Sequence, residues 1–172
     1  MIHHVSIPAH EPQRAAEVLA ELMNGKCVPF SPLAGAFMAL SGDAHGSMIE
    51  VYPERATLEI PQDGEQVVFG EHMPPRAWPF HVLLSVPRSR EEIEEIGARA
   101  GWRTKLFGRG IPGQKPFFHV IELWIENRLM IEVASPEMAE DYAACLKSAD
   151  MAAIDPAAIA RMQESYRRPA AR

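Results

Sequence analysis

A chain of 172 residues, 47% hydrophobic and 23% charged, is long enough to bury a real core as one compact domain or two small fused modules. Its net charge of −6 argues against nucleic acid or an anionic membrane as a partner, since both select a basic face. No apolar run approaches the roughly 18 residues of a spanning helix, residues 1–12 lack the basic region and apolar core of a signal peptide, and Cys27 and Cys145 show no Cys-x-x-Cys spacing, so a cytoplasmic protein with two buried thiols is expected.

Residues 2–8 predict a short strand, with His4, Ser6 and Pro8 on one face and His3, Val5 and Ile7 on the other. Glu11-Pro12 then opens a helix, proline being suited to the first helical position. Ala15, Val18, Leu19 and Leu22 recur at helical spacing on one apolar face, and Asn24-Gly25 stops it. Three apolar runs follow at 27–30, 36–40 and 47–52, separated by Pro and Gly turn signals, which makes the unit β-α-β-β-β. A connector spans 54–79, with Asp63-Gly64 between strand-like 57–60 and 66–69 as a hairpin signal, then a Met73-Pro74-Pro75 linker.

The second half repeats the order. Residues 80–86 predict a strand carrying His81, Leu83 and Ser85 on one face. Ser89 and Glu92 have capping-box spacing for a helix lined by Ile93, Ile96 and Ala100 and closed near Gly101. Strands at 102–107, 117–125 and 128–134 complete the unit, the last two joined by a turn at Glu126-Asn127. Helices are expected over 136–147 and 156–166, packed against the barrel or a partner subunit. The chain thus divides into a first module (1–53), a connector with a hairpin (54–79), a second module (80–135) and C-terminal helices with a tail (136–172). The fold class is α+β, two paired βαβββ modules forming a curved half-barrel sheet.

The tetrapeptide Met-Ile-Glu-Val occurs at 48–51 and again at 130–133, and each copy follows a His-Val pair, His4-Val5 and His81-Val82. Each unit therefore offers one imidazole and one carboxylate. His4, Glu50, His81 and Glu132, brought together by the repeat, would be a first shell for a divalent metal with room for water or substrate. A glutamate between apolar neighbours on a core-facing strand is costly unless paired or metal-bound, and here two occupy matching places.

This repeat resembles the vicinal oxygen chelate superfamily, the glyoxalase I, extradiol dioxygenase and bleomycin-resistance group. The residues that carry the resemblance are His4 in Ile-His-His-Val-Ser-Ile, Glu50 in Met-Ile-Glu-Val-Tyr, His81 in Phe-His-Val-Leu-Leu-Ser-Val and Glu132 in Met-Ile-Glu-Val-Ala, over about residues 2–135. His3 competes as a ligand, but the His-Val register selects His4. The resemblance implies one divalent metal per site (Zn, Ni, Co, Mn or Fe(II)) and a glyoxalase-like lyase or isomerase acting on a small oxygen-chelating metabolite, with Glu132 as base and Glu50 as its symmetry-related counterpart. It also implies a homodimer. The arginine and asparagine with which glyoxalase I meets glutathione are replaced here by Pro8 and Glu54, which argues against that substrate. An extradiol-type dioxygenase and a metal-free small-molecule binding or resistance protein are the alternatives.

Gly108-Arg109-Gly110-Ile111-Pro112-Gly113 matches a dinucleotide fingerprint in letters only. A strand rather than a helix is expected after it, so no nucleotide cofactor is inferred. Arg103, Lys105, Arg109 and Lys115 surround this loop and could meet an anionic substrate. Ser6, Tyr52, Ser85 and His119 complete the candidate substrate contacts, although the face of His119 is not settled by its pattern. His10, His45 and His72 are expected in exposed turns.

Overall fold

The computed structural model describes residues 2–60, 68–75, 79–110, 113–148 and 155–165. Within them the chain runs β1 (His4–Ala9), α1 (Pro12–Leu22), β2 (Lys26–Pro29), β3 (Phe37–Leu40), β4 (Met48–Pro53), β5 (Ala56–Glu59), β6 (Val68–Glu71), β7 (Leu83–Ser85), α2 (Arg90–Ala100), β8 (Arg103–Arg109), β9 (Phe118–Ile125), β10 (Leu129–Ala134), α3 (Pro136–Ser148) and α4 (Pro156–Ser165). Two four-stranded sheets have the same strand order, β1-β4-β3-β2 and β7-β10-β9-β8, and β5 and β6 make a separate hairpin. The half-barrel is therefore open, two like sheets rather than one closed wall. The turn Asp63-Gly64 lies outside the described residues.

The repeat read from the sequence is also a repeat of register. β1 pairs parallel with β4, placing Ser6 opposite Glu50, and β7 pairs parallel with β10, placing Leu83 opposite Glu132. In each unit the histidine stands two residues before the partner of the glutamate. One expectation is corrected: β7 covers only 83–85, so His81 is not on a strand as the 80–86 reading required. The Val82 carbonyl still accepts from Glu132 N at 2.9 Å, which marks the point where pairing begins.

Helix α1 begins at Pro12 without a side-chain cap of its own. Its free N–H end is met instead from the other module, where the Glu126 carboxylate accepts from His10 N and Glu11 N, both at 2.7 Å. A negative charge there also complements the helix dipole. The helix ends through Asn24 in the left-handed region (φ 56) and Gly25. A Cβ on Gly25 would stand 1.7 Å from the Leu40 carbonyl oxygen, so only glycine lets β3 approach this end. Helix α2 has the capping box anticipated from Ser89 and Glu92, and ends on Gly101 at φ 74. Glu126 and Asn127, both at positive φ, give the tight β9–β10 turn whose twist suits a hairpin.

A single apolar core runs through both modules, built around Ile7, Leu19, Leu22, Ile93, Ile121 and Leu123. Helices α1 and α2 also meet across the junction. Arg14 Nη2 donates to the Ala100 carbonyl at 2.7 Å, and Arg88 Nη2 donates to the Glu21 carbonyl at 3.0 Å and to Asn24 Oδ1 at 3.1 Å. Since Ile49, Val51, Ile131 and Val133 point to this core, strand alternation turns Glu50 and Glu132 to the opposite faces of their sheets. Helix α3 packs on β9, with Tyr142 edge-on to Phe118 at 5.1 Å between ring centroids. No helix among the described residues is long and apolar enough to cross a membrane.

Candidate functional site

Glu50 is 8% exposed, a buried carboxylate on β4. Two hydroxyls converge on its Oε2: Ser6 Oγ donates from β1 at 2.8 Å and Tyr52 OH donates from two residues along β4 at 2.6 Å. Burying a carboxylate is tolerable only when such donors meet it. Burial, and then the hydrogen bond to Glu50, push the Tyr52 phenol above its ordinary value. The Tyr52 ring is held by Phe30 at 5.4 Å and by Phe69 of the connector hairpin at 5.7 Å, so the hairpin closes over this end of the first sheet.

Glu132 has a different solution. It stands opposite Glu122 in the β9–β10 pair, and Arg109 reaches both from β8. Arg109 Nε and Nη2 donate to Glu132 Oε1 at 2.9 and 2.6 Å, and Nη2 also donates to Glu122 Oε1 at 2.8 Å. Burial opposes the guanidinium charge, but the two carboxylates outweigh it and hold Arg109 above its ordinary value. Lys105, directly across from Glu122, has its Nζ over the Phe107 ring at 4.9 Å. On the same face of β9, the Trp124 indole N–H is buried and has no hydrogen-bond partner in the described structure.

The candidate residues thus include two hydrogen-bonded groups, Ser6 and Tyr52 on Glu50 in the first sheet and Arg109 on Glu132 in the second. His4 and His81 are exposed, and His4 with Ser85 lines a cavity of about 860 Å³ bounded by residues of both β1 and β7. Ser6 and Tyr52 line a second cavity of about 270 Å³ beneath the connector, together with Thr57, whose buried hydroxyl also lacks a partner in the described structure. Arg103 is exposed and remote along β8 from Arg109. His119 falls on the opposite face of β9 from Glu122, because strand neighbours alternate. His10, His45 and His72 are exposed, as their turn-rich surroundings suggested.

A divalent metal needs several unshared donors converging on one point. Among the described residues no three His, Cys, Asp or Glu side chains form such a group. The two carboxylates of the proposed shell are met by a guanidinium in one sheet and by two hydroxyls in the other. As arranged, the donor set does not fit the metal that the resemblance implies. The parts that sequence reasoning missed are Glu122 as the partner of Glu132 and the bridging role of Arg109. The alternating pattern of β9 could have exposed Glu122, a carboxylate between apolar residues.

No family model matches the chain, and no curated protein matches it in sequence. Among solved structures it is similar to the fosfomycin resistance protein FosX from Mesorhizobium loti, at 12% identity and TM-score 0.47 over 83% of this chain and 96% of that one. It is similar also to a glyoxalase/bleomycin resistance protein/dioxygenase from Alicyclobacillus acidocaldarius, at 13% identity and TM-score 0.44 over 78% and 90%. A third is lactoylglutathione lyase from Agrobacterium tumefaciens, at 8% identity and TM-score 0.47 over 80% and 94%.

Proposed function

We propose that the chain is a member of the vicinal oxygen chelate superfamily that binds a small molecule in the cavity between its two modules and holds it with protein groups rather than on a metal. The observation that supports this reading is that both inward carboxylates, Glu50 and Glu132, already have protein donors. The cavity has the volume of an ordinary ligand site. Both modules line it, and they offer His3, His4, Lys26 and Asp43 as polar anchors among Leu40, Met48 and Val82. Such a mixture suits a small, partly apolar metabolite or drug with a few hydrogen-bonding groups. A cytoplasmic location follows from the sequence expectation and is part of the proposal.

The test is a ligand screen by thermal shift and ligand-observed NMR, run with and without EDTA. Binding should survive chelation, weaken at least about tenfold in His4→Ala, and persist in Glu132→Gln. Loss of binding on chelation, restored by Ni²⁺, Zn²⁺, Mn²⁺ or Fe²⁺, would overturn it.

A second reading is supported by the matched register of the two His–Glu pairs. A homodimer could place the His4/Glu50 half of one copy against the His81/Glu132 half of another and act as a metal-dependent, glyoxalase-like lyase or isomerase. Extradiol ring cleavage would draw on the same halves. Light scattering and elemental analysis decide this reading: a dimer with about one metal per paired site, lost in His4→Ala/His81→Ala, would establish it.

A further inference from the structure

We propose that Arg109 is the resident cation of the second sheet, standing where a divalent metal would sit against Glu132 and keeping the Glu122/Glu132 pair closed to metal. The inference rests on the same donor geometry as the metal-free reading above but assigns the cause to one side chain. Glu122 and Glu132 are directly opposite on adjacent antiparallel strands, and their side chains are only 16% and 13% exposed. Like charges so placed repel strongly in a partly desolvated site, so a cation must lie between them. The nearer candidate, Lys105, is across the strand pair from Glu122 yet turns onto Phe107. Arg109 crosses from farther along β8, its guanidinium 5.8 Å from the Phe107 ring centre.

The choice follows from shape. A guanidinium is a planar fork that can give parallel bonds to one carboxylate and a further bond to a second, whereas an ammonium is a strongly hydrated point charge. Nε and Nη2 both reach Glu132 Oε1, and Nη2 bridges to Glu122 Oε1. An incoming metal would have to break all three bonds and expel a fixed positive charge from a half-buried place. Without Arg109, two facing carboxylates remain, an oxygen-only pair of the kind that suits Mn²⁺, Mg²⁺ or Ca²⁺.

The experiment titrates Mn²⁺ into wild type, Arg109→Met and Arg109→Lys by calorimetry, with circular dichroism as the check on folding. Arg109→Met should gain one Mn²⁺ per chain at least about tenfold more tightly than wild type, and the gain should vanish in Arg109→Met/Glu132→Gln. Arg109→Lys keeps a positive charge and should gain little. A second measurement uses wild type alone: the Arg109 Nε–H resonance, assigned by its loss in Arg109→Lys, should stay sharp in excess Mn²⁺. Broadening of that resonance at stoichiometric Mn²⁺, or a folded Arg109→Met that binds no better than wild type, overturns the proposal. If wild type binds metal through Glu132, the metal-free reading fails as well. If wild type is indifferent to metal and Arg109→Met gains nothing, only the role given to Arg109 fails.

Discussion

Glu50 and Glu132 are the same residue at matching places in a repeat, and their surroundings have diverged. Glu50 accepts from two hydroxyls, one of them on an aromatic ring packed by Phe30 and Phe69, whereas Glu132 shares a guanidinium with Glu122. The consequence at Tyr52 is measurable. Tyr52→Phe removes one of the two donors to a buried carboxylate, and should cost about 1–3 kcal/mol in urea denaturation. It should also change the alkaline limb. The folded phenol lies above its ordinary value of 10.0, so its contribution is complete below that pH and is lost as pH rises through the raised value. The wild type should therefore lose stability above about pH 10, and Tyr52→Phe should lose less over the same interval.

Secondary structure was largely legible because each element carries local chemistry that specifies it. Pro12 opens α1, Ser89 and Glu92 cap α2, and Glu126-Asn127 turns β9 into β10. The shortening of β7 to 83–85 was not legible, since Phe80 and His81 have strand-like neighbours, yet the pairing with β10 begins only at Leu83. Nor could the sequence show that the β9–β10 turn provides the acceptor for the start of α1. Glu126→Gln, which keeps the shape and removes the charge, should lower stability by about 1 kcal/mol through that helix end. A shift of the urea midpoint at constant slope is the expected result. Faster amide exchange confined to residues around 10–15 would locate the change at the helix end.

For the whole molecule, the two modules are joined by one apolar core and by a polar clasp on its rim. Glu54, just after β4, is bound by Arg128 of the second module, and His10 Nδ1 lies 3.2 Å from its other oxygen. The Arg128 bond first, and then His10, hold the Glu54 carboxyl below its ordinary value of 4.5. A lowered folded pKa means that this contribution is present above 4.5 and is lost as pH falls through the lowered value. Glu54→Gln should therefore lower the melting temperature modestly near neutrality, the clasp being partly solvated, and converge with wild type in acid, which flattens the acid limb of the profile. An unchanged acid limb would show that the clasp carries no linkage between the modules.

The paired βαβββ plan, the caps and the inward place of both glutamates follow from spacing and alternation, which are local properties of a chain whose sheets have one face on a core. What surrounds those glutamates does not. Arg109 and Glu132 are brought together across three strands, and Ser6 and Tyr52 meet at Glu50 across two. Such meetings depend on register and side-chain reach between distant segments, so a pattern of residue types could name two carboxylates but only the folded sheets show which protein donors meet them.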